Sequence, residues 1–242
     1  TLSGRIEHQV ITTSVFDARG NALEQDIEKT YYDGASAIGT DAQVIVNEAY
    51  NIHDRTSGST IKNYEVTGAL RSFTDTQVIA YSNYDRYGNA ENQTIDTYDS
   101  ETTLTTAFLV SHKDITNTYG AITVLLSDGV TTETRTEAFA RKHGSALSTE
   151  SIETNKDGVL VQRSVTTNSL FDLRGNTIDQ STDKFVADES GVEKLATTTV
   201  IHNDSINARG DAASQEITTW TTDDAGLNAE ISSYQIMTNR RF

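Results

Sequence analysis

The sequence predicts an all-β chain of tandem antiparallel β-hairpin repeats. About 14 long strands, in a repeat of about 32 residues, would form a wide curled or wrapped sheet. Three observations carry this: a recurring turn motif, segments that alternate with period two, and a composition of 37 Thr and no Pro in 242 residues. Pro cannot donate to a β-ladder and is confined to edges and bulges. A chain of this length without it fits nearly continuous strand pairing.

The turn motif reads aromatic, Asp, two variable residues, Gly, Asn. It stands at Phe16-Asp17-Ala18-Arg19-Gly20-Asn21, at Tyr84-Asp85-Arg86-Tyr87-Gly88-Asn89 and at Phe171-Asp172-Leu173-Arg174-Gly175-Asn176. A fourth copy, Ile206-Asn207-Ala208-Arg209-Gly210-Asp211, exchanges the Asp and the Asn. In all four a Gln follows five residues after the Gly: Gln25, Gln93, Gln180 and Gln215. Weaker copies are expected at His53–Gly58, at Asn117–Gly120 and at Phe139–Leu147.

A second set of reversals falls between these. Asp33-Gly34, Asp128-Gly129 and Asp157-Gly158 are acidic-Gly pairs, and Asp188–Gly191 and Asp223–Gly226 are four-residue versions. Tyr98–Glu101 occupies the matching place without a Gly. Asp and Gly accept the positive φ of tight turns, so each cluster reverses the chain. One unit is then strand, first turn, strand, second turn.

The connecting segments read as strands. Leu23, Gln25, Ile27, Lys29 and Tyr31 alternate with Ala22, Glu24, Asp26, Glu28 and Thr30, which is period two rather than helical spacing. Runs such as Ala196–Ile201 and Ile217–Thr222 combine high β propensity with poor helix propensity.

Composition narrows the function. With 19 Lys and Arg against 35 Asp and Glu, the net charge of −16 repels a nucleic-acid backbone. The absence of Cys excludes disulfides and thiolate metal sites. No segment approaches the ~20 apolar residues of a membrane-spanning helix. No catalytic, cofactor-binding or metal-binding residues are expected, because no zinc-protease, nucleophile-elbow, phosphate-loop or dinucleotide motif occurs. Asp17, Asp85 and Asp172 are expected to cap their own turns rather than hold Ca²⁺, since each turn offers only one or two carboxylates. Arg209-Gly210-Asp211 is read as a register copy of the turn, not as an adhesive tripeptide. His112 and His202 each stand eight residues before their unit's Gly and share one repeat slot. Asn92-Gln93-Thr94 and Asn203-Asp204-Ser205 are formal glycosylation acceptors.

Tyr84-Asp85-Arg86-Tyr87-Gly88-Asn89, with Phe16-Asp17, Phe171-Asp172, Tyr32-Asp33 and Tyr98-Asp99, resembles the YD repeat of Rhs-type toxins, insecticidal toxin-complex shells and teneurins. That resemblance implies long hairpins wound into a spiral sheet, shell or cell-surface barrel. The spacing here is longer than the family's usual one, and the Pro-containing element that closes many Rhs shells has no counterpart.

The expectation is therefore one repetitive region over residues 1–242, a segment of a larger chain or a subunit of an assembly. Its expected role is a non-catalytic extracellular or cell-surface scaffold that associates with itself, or with neighbouring repeats, through edge strands. The alternatives are a cell-surface adhesin or carbohydrate-binding module, with a glycan as ligand, and part of a toxin-delivery shell.

Overall fold

A computed structural model describes residues 7–239. Its elements are β1 (Glu7–Phe16), β2 (Ala22–Asp33), β3 (Ser36–Asn47), β4 (Gly58–Thr67), β5 (Leu70–Tyr84), β6 (Ala90–Tyr98), β7 (Leu109–Thr118), β8 (Ile122–Leu125), β9 (Thr132–Arg135), α1 (Glu137–His143), β10 (Ser148–Asn155), β11 (Leu160–Phe171), β12 (Thr177–Ala187), β13 (Glu193–Ile206), β14 (Ala212–Thr221) and β15 (Glu230–Thr238). The chain is all-β, and its strands follow chain order through the sheet, β1 to β7 and then β10 to β15. That is the order tandem hairpins produce.

The count is 15 strands rather than 14, and the difference arises at two weak repeat copies. Asn117 and Thr118 end β7 and do not turn. Gly120 is there because a Cβ would stand 2.7 Å from Leu147 Cδ1. Phe139–Leu147, expected to be a turn, is instead helix α1 and its exit. Thr136 caps the helix by accepting from the Phe139 N–H, Arg141, Lys142 and His143 fill its last turn, and Gly144 ends it at φ 69°. At His53–Gly58 the reversal spans Asn51–Arg55, with Asp54 rather than Gly58 at positive φ (57°).

Two compact units share the chain. The first takes residues up to Ser82 and Gln93–Lys113; the second takes Asn83–Asn92 and the rest from Asp114. In the first unit Ala42 and Thr76 are fully buried, and the Thr76 hydroxyl donates to Ser100 O at 2.8 Å. Tyr64 donates to Glu101 at 2.9 Å, so the start of the β6–β7 connection is tied to the sheet at two adjacent residues. Burial, with the Glu101 carboxylate beside it, pushes the Tyr64 phenol up to about 12. Arg71 of β5 reaches Asp26 (2.6 Å) and Glu28 (2.7 Å) of β2, although β3 and β4 lie between. Three strand spacings are roughly 14 Å, so the sheet of this unit curves toward the face that carries these side chains.

In the second unit the buried cluster is Ile122, Val124, Ala140 and Phe171, with Phe139 and Leu147 against it. Strand β8 meets β11 in parallel at Val124–Phe171 and pairs antiparallel with β9. This small hairpin and α1 thus cover one end of β11. Only eight hydrophobic residues are buried among the described residues, so the sheet is held by its ladders and side-chain networks more than by a continuous core.

Candidate functional site

The turns are the feature the sequence repeats most, and the structure shows why. Asp17 Oδ1 accepts from the N–H groups of Arg19 and Asn21, both at 2.8 Å, while Oδ2 accepts from Asn21 Nδ2 at 2.9 Å. Asp85 and Asp172 repeat the scheme with Asn89 and Asn176. The exchanged copy works with donor and acceptor reversed. Asn207 Oδ1 still accepts from Arg209 and Asp211 N–H, and Asn207 Nδ2 donates to Asp211 Oδ2 at 3.2 Å. Arg209-Gly210-Asp211 is therefore the body of a structural turn.

The second set of turns, read as a different kind, is largely the same one. Asn155, Asp188 and Asp223 each accept from the N–H groups two and four residues on, as Asp17 does. The capping residue before Asp157-Gly158 is thus Asn155. Asp33-Gly34 is a genuinely tighter hairpin, closing at the Asp33–Ser36 pair.

Hydrogen bonds of this kind hold the carboxyls of Asp17, Asp85, Asp172, Asp188 and Asp223 below the ordinary carboxylate value of 3.8. At Asp17 the Asn21 side chain is the main cause. At Asp172 burial pulls upward, and the bonds from Asn176 and Arg174 outweigh it. Asp188 is lowered furthest, by Ser190 and Lys194. A carboxyl with a depressed folded value contributes stability above its unfolded value and loses it as pH falls through the folded one. The urea midpoint, measured in high salt to screen the net charge, is expected to stay level from pH 7 to 5 and fall below about pH 4. A midpoint unchanged at pH 2.5 would remove the turn carboxylates from the account.

At two of the four motif copies the recurring Gln pairs with an Asn amide of the preceding strand, while Gln25 of the first copy donates instead to Thr13 Oγ1 at 3.2 Å. Gln180 Nε2 donates to Asn168 Oδ1 (2.9 Å) and Gln215 Nε2 to Asn203 Oδ1 (2.7 Å). Asn203 Nδ2 in turn donates to Thr177 O, as Asn47 does to Ala22 O. Asn203, one of the two formal glycosylation acceptors, thus has its amide committed within the sheet.

His112 and His202 do occupy one slot, and each pairs with an Asp of the preceding strand, Asp96 and Asp179, at 2.6 Å. The second pair borders a groove of about 620 Å³ lined by Leu125, Leu126, Leu173, Ile178, His202 and Ser205 among others. Ser205 stands three residues after His202, at φ 51°, but its hydroxyl donates to Asp204 at 3.1 Å. The corresponding position after His112 is Ile115, so the repeat preserves the His–Asp pair and not a nucleophile. Among the described residues no three His, Asp or Glu side chains converge as a metal site would require.

Three arginines gather the acidic surface. Besides Arg71, Arg141 of α1 binds Glu137, Glu91 and Asp85 and lies 4.9 Å over the Tyr119 ring. Arg163 of β11 binds Glu193 and Glu150 and lies 4.2 Å over Phe185. Each of these guanidiniums is pushed up by the carboxylates it bonds, Asp26 foremost at Arg71, Glu137 at Arg141 and Glu193 at Arg163. Apart from the i,i+4 pair Glu137–Arg141 within α1, these networks leave no spacing signal in the sequence, because their other partners come from separate strands or elements.

The terminal strands of the order differ from the interior. Among the described residues β1 pairs only with β2, and β15 only with β14. Both show apolar side chains to solvent: Val10, Ile11, Val15 and Phe16 on β1, and Ile231, Tyr234, Ile236 and Met237 on β15. Neither protein-family models nor curated proteins give a match to this chain.

Proposed function

We propose that this chain is a non-catalytic structural scaffold, a segment of a fibre, sheath, shell or stalk at the cell surface or outside the cell. The observation that carries the reading is the pair of one-sided strands β1 and β15, with apolar residues exposed on both. Unpaired N–H and C=O groups on an apolar edge favour addition of another strand, and soluble proteins normally blunt such edges. Tandem hairpins satisfy this by continuing, through neighbouring repeats or another copy. The acidic surface, at a net charge of −16, keeps such an object soluble. The resemblance to YD-repeat proteins supports the extracellular setting.

The test is negative-stain electron microscopy with light scattering on the same sample. Filaments, tubes or shells with a regular repeat are the expected result. A uniform monomer near 26.5 kDa at every concentration would overturn the reading. One observation favours a second reading, a glycan-recognition module: the groove beside His202 with Arg174 at its wall. Binding on a glycan array, lost in an Ile178→Trp variant that fills the groove, would select it.

A further inference from the structure

We propose that one face of the sheet over β10–β14 binds a neutral, extended polysaccharide, whose chain runs across the strands along a row of threonine hydroxyls. Thr149, Thr166, Thr182, Thr199 and Thr219 stand directly opposite one another in the register of five successive strands. Directly opposed residues project from the same face, so these side chains form one line at a spacing of about 4.8 Å. All five are partly exposed. Two residues along each strand, a second row on that face reads Ser151, Ser164, Lys184, Thr197 and Thr221. On the other side of the threonines stand Asn168, Gln180, Ile201 and Ile217. Lys184 is the one charged residue in the three rows. The opposite face of the same strands carries Glu150, Asp179, Asp183 and Glu216.

That segregation of charge selects the occupant. At a net charge of −16 the molecule repels acidic polymers, and a cationic one would settle on the carboxylate-bearing face. A neutral polymer rich in hydroxyls meets matching donors and acceptors. Each Thr hydroxyl has one proton and two lone pairs. The Thr166 and Thr182 hydroxyls pair at 2.9 Å and those of Thr199 and Thr219 at 3.3 Å, while Thr149 donates to Asn117 Oδ1 at 2.8 Å. Each threonine pair spends one proton on itself and keeps the other, with further lone pairs, for a ligand. An extended sugar chain advances per residue by nearly the strand spacing, so successive sugars meet successive strands. No aromatic side chain stands in the three rows, so affinity comes from hydrogen bonds summed over strands rather than from ring stacking. Short oligosaccharides are accordingly bound weakly, and affinity rises with length until the chain spans the row. None of the five threonines lines the groove beside His202.

The test is co-sedimentation of the full chain with insoluble cellulose, curdlan and xylan, with insoluble alginic acid as the acidic control. Sedimentation with at least one neutral polymer, equal at low and high salt, and none with alginic acid is the expected result. Thr182→Val/Thr199→Val keeps the β-branched shape and removes two hydroxyls from the middle of the row, and it should weaken binding at least tenfold. The same change on the opposite face, Thr167→Val/Thr218→Val, should leave binding as it was. Urea midpoints of the two double variants confirm that both are folded. Failure to sediment with any neutral polymer, equal binding by the two double variants, or binding that falls as salt rises would overturn the proposal. Binding lost in Ile178→Trp but kept in Thr182→Val/Thr199→Val would place the sugar in the groove and overturn this site. The site does not depend on the scaffold reading. Regular assemblies seen by microscopy without polysaccharide binding overturn the site alone, and binding by a strict monomer overturns the scaffold alone.

Discussion

Replacing Phe171 with Ala is expected to destabilise the protein by about 3–5 kcal/mol, whereas Phe16→Ala, in the same slot of the same motif, should cost less than about 1 kcal/mol. Phe171 is 1% exposed, bridges to Val124 of β8 and packs in the cluster with Ile122 and Ala140. Phe16 is 56% exposed at the end of β1. A cavity opened in the first case has no solvent to relax into, while the second removes surface already in water. Urea denaturation of the two variants checks this. Similar losses would mean that the aromatic acts through the turn itself and not through burial.

The glycines of the same motif are expected to diverge for a related reason. Gly20 and Gly175 both lie at positive φ, 90° and 84°, so Ala pays a similar backbone penalty of about 1–2 kcal/mol at either. A Cβ at Gly20 meets nothing within 4 Å. At Gly175 it would fall against Ser145 Oγ and 2.7 Å from His143 Cβ, and the Ser145 hydroxyl that donates to Gly175 O at 2.7 Å would be displaced. Gly175→Ala should therefore exceed Gly20→Ala by about 1–3 kcal/mol, and adding Ser145→Ala should recover part of the excess. The same urea measurements read this out. Equal costs would show that the exit from α1 can shift without penalty.

Much of this architecture is local and can be read from residues in order. The five-residue reversals at Asp17, Asp85 and Asp172 need only an Asx side chain, the next N–H groups and a Gly, all within the turn. The exchanged pair Asn207 and Asp211 follows the same logic, since either residue can supply the donor. Period-two segments such as Leu23–Tyr31 place themselves in strands, and the chain order of the sheet follows from hairpin after hairpin. The three weak copies depart from the turn pattern for one reason: a Gly in register with the motif need not be a turn Gly. Gly58 begins β4, Gly120 makes room for Leu147, and Gly144 ends a helix. A glycine in sequence does not say whether it serves a positive φ, a close approach or a cap.

What the residue order alone determined is the all-β class, the antiparallel tandem pairing and the strong turns, because hydrogen bonds within a few residues and the two-residue period of a strand decide all three. Tertiary structure alone decided which motif aromatic is buried and which exposed, where α1 and β8–β9 interrupt the repeat, and which carboxylates Arg71, Arg141 and Arg163 gather. Arg71 meets Asp26, Arg141 meets Asp85 and Arg163 meets Glu193 across 45, 56 and 30 residues, and no period along the chain encodes such distances.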